Sequence, residues 1–178
     1  MTNTVQTAQE LQKDTNIRIE NILRKYKEFN ITEALSITIK NKSLKQWQHD
    51  VSSLCEIKSS ETAVLRELFV KVYNMLNEVT AIKSLLLIKY NLSEYNYHYK
   101  KDIKIKDLLD NNKKIASTTL QSSADADEDV SDAKEIRVGA ALIYELFSLF
   151  EQQLNRCLNS IKFLINVDIS INKNYNGV

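Results

Sequence analysis

The sequence predicts an all-α fold: a helical bundle built on two long heptad-patterned, coiled-coil-like helices with shorter N-terminal helices. Three observations carry this. The 178 residues include no proline and two glycines, where ordinary usage is roughly 5% and 7%. Turn-rich β folds and the loops of α/β enzymes depend on those residues. Two stretches then hold a three-four apolar rhythm over many turns, which is the signature of a helix with one buried face.

Along the chain, Ile19, Ile22, Tyr26 and Phe29 step by 3, 4 and 3, predicting a helix over about 4–29. Asn30 with Glu33 has capping-box spacing and opens a short helix near 31–41, although Leu35, Ile37 and Ile39 also alternate like a strand. Ser43 with Gln46 forms a second box. The helix behind it carries Leu44, Trp47, Val51 and Leu54 on one face.

Ser59 and Ser60 interrupt the pattern. The first long seam follows over 60–91: Leu65, Leu68, Val72, Met75, Val79, Ile82 and Leu86. Residues 92–115 read as mixed. Ser93 is a possible cap, Ile105, Leu108 and Leu109 can face a core, and Asn111-Asn112 weakens the pattern. Residues 116–130 are polar and acidic and predict a flexible loop, because they bury too little apolar surface to offset their ordering entropy.

Ser131 or Asp132 is then expected to cap the longest helix. Its seam is Ala133, Ile136, Ala140, Ile143, Phe147, Phe150, Leu154, Cys157, Ile161 and Leu164. Leu142, Leu146, Leu149, Leu158 and Ile165 widen that face beyond a two-stranded seam, toward a bundle. Residues 168–178 read as a loose tail. Together the elements make one helical domain over 1–178.

Composition narrows function mainly by exclusion. A formal net charge of +1 argues against a dedicated nucleic-acid binder. No run of 18 uncharged apolar residues occurs, so no membrane span is expected. The first residues lack a Sec-type apolar core, and two Cys are too few for a disulfide scaffold, so the expectation is a reducing, cytoplasmic compartment, with export without a signal peptide as the alternative. Gly139 and Gly177 stand alone, so no glycine-rich phosphate loop exists.

The chemistry-bearing residues are few. His49 and Cys55 lie about 240° apart around a helix and do not form a local pair. His98 lies in a Tyr- and Lys-rich stretch that offers no set of three or four convergent ligands, as a zinc site needs. Cys55 and Cys157 read as small core hydrophobes, and a bridge would need their helices to meet. The acidic run lacks the Gly and terminal Glu of a calcium loop. No catalytic residue, metal or cofactor is expected.

Two surfaces remain. The last helix offers Ile143, Phe147, Phe150, Leu154, Ile161 and Leu164 as interface candidates, with Tyr144 and Phe163 adding aromatic area. The segment Tyr95, Tyr97, Tyr99, Lys100, Lys101, Lys104 and Lys106 mixes rings with positive charge, as single-stranded nucleic acid or a membrane surface would require. Residues 89–114 hold seven Lys and four acids, however, and 119–135 hold six acids and one Lys. Mutual neutralisation of the two is the simpler expectation.

The leading functional expectation is a non-enzymatic interaction or assembly protein that buries its last helix against partner helices, its own or another protein's. The alternatives are a leaderless secreted structural or virulence component, such as an appendage, tip or translocation-associated subunit, and a binder of nucleic acid or membrane surface through 95–106.

Overall fold

The computed structural model describes residues 14, 17–22, 24, 39–111 and 116–175, with side chains through 170. The fold is an all-α helical bundle, and among the described residues there is no β-strand. Four helices have defined bounds: α1 (Leu44–Leu54), α2 (Thr62–Asn111), α3 (Ser117–Asp125) and α4 (Glu128–Tyr175). The expected helix over 31–41 lies mostly outside the described residues. Most of the expected 4–29 helix does too, although Ile19 and Ile22 are helical and enter the core.

The 50 residues of α2 and the 48 of α4 make rods of about 75 and 72 Å. They pack against each other within one chain, and their direction can be read from the side chains. Thr62 hydrogen-bonds Asp168, Thr80 bonds Glu151, and Glu94 pairs with Arg137. Numbers rise along α2 as they fall along α4, so the helices are antiparallel. Lys83 joins Thr80 on Glu151.

The core lies between these rods and under α1. Leu65, Val72, Val79, Ile82 and Leu86 from α2 meet Ile143, Phe147, Phe150, Leu154 and Ile161 from α4. Leu142, Leu146, Leu149 and Leu158 are buried as well, which gives α4 the broad apolar face of a bundle helix.

The Ser43 box forms as expected. Gln46 N–H donates to Ser43 Oγ at 3.2 Å, and Ser43 N–H donates to Gln46 Oε1 at 2.7 Å. It aims α1 so that Trp47 is fully buried, its edge against Phe147 at 5.5 Å and its indole N–H donating to the Ile39 carbonyl at 3.1 Å. A tight turn precedes α1. Lys40 and Asn41 have φ of 52° and 62°, and Ile39 pairs across them with Lys42, matching the two positive φ values of a type I′ turn.

Several expectations are corrected. Residues 92–111 continue α2 without a break. The supposed loop 116–130 is the helix α3, a two-residue link at 126–127, and the first turn of α4. Leu120, Ala124 and Val130 supply burial there, and ion pairs to α2 supply the rest. Asp127, rather than Ser131 or Asp132, precedes the last helix: its carbonyl accepts the Ser131 N–H at 2.8 Å, and the nearby Val130 and Asp129 amides help hold its carboxyl low. At the far end α4 runs on through Tyr175, so residues 168–175 are helix rather than loose tail. One seam residue also faces out. Ile136 is 62% exposed because Arg137 takes the inner position, its guanidinium 4.6 Å from the Tyr97 ring.

Candidate interaction surfaces

All six interface candidates on α4 are brought together, but inside the chain. Ile143, Phe147, Phe150, Leu154 and Ile161 are buried in the core, and Leu164 packs on its edge. The face offered to a partner in the sequence is therefore covered by α2 and α1. Phe147 also meets Phe150 edge to face at 5.4 Å. Among the aromatic additions, Tyr144 stacks on Tyr90 at 6.4 Å, and Phe163 stays exposed.

The Tyr/Lys segment is taken apart by the helix that carries it. Tyr97 points inward and is buried with Val130 and Ala133. Its hydroxyl donates to Asp125 at 3.1 Å. Lys101 reaches the same carboxylate at 2.8 Å, Lys104 reaches Asp127 at 2.5 Å, and Lys100 lies 3.9 Å from Asp129. The basic stretch of α2 and the acidic stretch from the end of α3 into α4 thus neutralise each other. Hydrogen bonds from Lys101 and then Tyr97 hold the Asp125 carboxyl below the usual range against the pull of burial. Lys104 does the same to Asp127, aided by the two backbone amides.

One turn along, a second polar lock joins the rods. Glu94 accepts from Arg137 at 3.2 Å and lies 3.1 Å from His98 Nε2. Burial works to raise the Glu94 carboxyl, but His98, Tyr90 and Arg137 outweigh it and hold it low.

Tyr95 and Tyr99 face the other way. They are exposed and stacked on each other at 6.1 Å. They belong to a second apolar stripe on the outward side of α2: Leu85, Ile88, Leu92, Tyr95, Tyr99 and Ile103. Leu85 and Leu92 are each 64% exposed and Tyr95 70%. Steps of 3, 4, 3, 4 and 4 keep these residues on one side of the helix, about 145° from the core seam. The signal was present in the sequence. Against the register of the core seam residues 92–115 look mixed, and the outward register runs across residue 91.

The remaining groups offer little chemistry. His49 is exposed on α1. Cys55, at the end of α1, and Cys157 of α4 do meet. Cys55 Sγ lies 3.9 Å from the Gln153 carbonyl and Cys157 Sγ 3.8 Å from that of Leu54, with both thiols reduced. The contact between the thiols and their burial push Cys55 well above the usual thiol range. Among the described residues no three His, Cys, Asp or Glu side chains cluster as a metal site, and no helix is long and apolar enough to cross a membrane. A groove of about 220 Å³ between Ser53, Glu56, Leu65 and Leu68 is shallow and open, below the roughly 300 Å³ at which small-molecule sites begin. No protein-family model, curated protein or solved structure matches the chain.

Proposed function

We propose that this is a helical interaction or assembly protein that works by docking a partner rather than by catalysis, and that it docks on the outward stripe of α2. The observation that carries the reading is the stripe itself: Leu85, Ile88, Leu92, Tyr95, Tyr99 and Ile103 hold heptad-like spacing while exposed to water. A helix that buries only one face gains nothing from repeating the pattern on the other. Contiguous exposed apolar area of this kind marks interaction sites. The stacked Tyr pair adds rigid, amphipathic anchors of the type that dominates interfaces.

A nucleic-acid or membrane-surface role through 95–106 has less support, because Lys100, Lys101 and Lys104 already face carboxylates. The test pairs two baits of the full chain, the natural sequence and Leu92→Glu, each offered a cell extract that also contains the untagged chain. Leu92 is exposed in the single chain, so the variant should still fold and melt cooperatively. Proteins retained by the first and lost from the second support the reading. Equal retention by both overturns it.

A further inference from the structure

We infer that the partner on the α2 stripe is a second copy of this chain, lying antiparallel; this rests on the docking reading above and names its occupant. Area is the first argument. Leu85, Ile88, Leu92, Tyr95, Tyr99 and Ile103 are 64, 57, 64, 70, 55 and 44% exposed. At roughly 200 Å² for a large side chain, this amounts to on the order of 700 Å² per copy. A standard stable interface buries about 800 Å² per partner. The stripe alone therefore approaches what a dimer needs, with neighbouring polar residues adding a rim.

Shape is the second argument. The stripe spans about 27 Å of a straight helix, and a two-fold axis between Leu92 and Tyr95 makes it complementary to itself. In that register Leu92 meets the second copy's Tyr95, Ile88 meets its Tyr99, and Leu85 lies by its Ile103. Every tyrosine ring then rests on an aliphatic side chain. Such self-complementarity is what an isologous interface requires.

Charge decides the direction. Continued toward the end of α2, the stripe reaches Lys106 and then Asp110. A parallel pair would set Lys106 on Lys106 and Asp110 on Asp110 along the seam, which is repulsive. The antiparallel register sets Lys106 beside the small Ala81, across which its methylene stem can lie, and Asp110 beside Asn77.

The experiment uses the full chain. Light scattering across concentration should give twice the 20.5 kDa chain mass, and Leu92→Glu should return it to one chain that still melts cooperatively, at a temperature no longer dependent on concentration. Direction is read by mixing Ile88→Cys and Tyr99→Cys chains in a Cys55→Ala, Cys157→Ala background and cross-linking the thiols. Mixed 88–99 links support the antiparallel register. Links between two Ile88→Cys chains overturn it, as does a dimer that Leu92→Glu leaves intact. A monomer at all concentrations also overturns the second copy as partner. If the paired baits above still differ, the docking reading survives that loss; if they do not, both fall.

Discussion

Lys101 of α2 and Asp125 of α3 sit 2.8 Å apart, with the Tyr97 hydroxyl on the same carboxylate. This contact converts an acidic stretch with little apolar surface into an ordered helix. The Lys104–Asp127 pair extends it to the first turn of α4.

The clasp should open in acid. Asp125 and Asp127 lie below their ordinary 3.8, and Glu151 lies below its ordinary 4.5 because Lys83 and Thr80 outweigh burial. Groups lowered on folding stabilise fully above their unfolded values, and that contribution is lost as pH falls through the lowered ones. Stability should therefore be flat from pH 7 to about 5 and decline below about 4. Amide exchange over 117–125 should rise before exchange in the α2–α4 core. An unchanged melt at pH 3 would remove these pairs from the account.

Leu154→Asp should abolish the cooperative melt. Leu154 is fully buried between the rods, and an unpaired buried carboxylate costs at least about 4 kcal/mol. Leu92→Glu, on the outer face of the single chain, should leave a cooperative melt in place, losing only what association adds. Similar melts for the two variants would contradict the division between core and outward face.

Gln153→Met should stabilise the chain. Gln153 is 4% exposed, and neither its Oε1 nor its Nε2 has a hydrogen-bond partner. An apolar side chain of similar length removes that desolvation penalty, a gain of about 1–3 kcal/mol. Denaturant titration reads it as a higher midpoint with an unchanged slope; a lower midpoint would show that the amide is satisfied in solution.

A disulfide reagent should link Cys55 to Cys157 within one chain. Their thiols meet at the contact of α1 with α4. The reagent accepts two electrons and the thiols release two protons as the S–S bond forms. Peptide mapping should find a single intrachain link, formed slowly because both groups are buried. Interchain links alone would contradict the placement of α1.

Ser43→Ala should cost about 1 kcal/mol through loss of the cap. It should loosen α1 first. Trp47 emission, blue-shifted while the ring is buried against Phe147, should then move to the red before the rods separate.

The elements most legible in the sequence are those whose cause is local. The Ser43–Gln46 box and the 143–161 part of the last seam need only neighbours along one helix, and both form. Residues 116–130 do not read as helix in the sequence because their order comes from outside: Leu120 and Ala124 are buried, and the carboxylates meet lysines more than twenty residues away. The attraction between the two charged stretches could be counted in advance, but not its power to hold a helix. The six residues on α4 were legible as buried and not as buried by their own chain, since an apolar stripe does not name what covers it. Ile136 and Arg137 exchanged roles because Tyr97 offers a ring face to a guanidinium.

The antiparallel rods also set an order of assembly. Lys100 and Asp129 are 29 residues apart in the chain, whereas Thr62 and Asp168 are separated by 106. Ring closure over the shorter segment loses less chain entropy, so the hairpin zips from the α3 corner outward. Pulled from its open end, the molecule gives way first at Thr62 and last at the corner where the acidic helix is clamped.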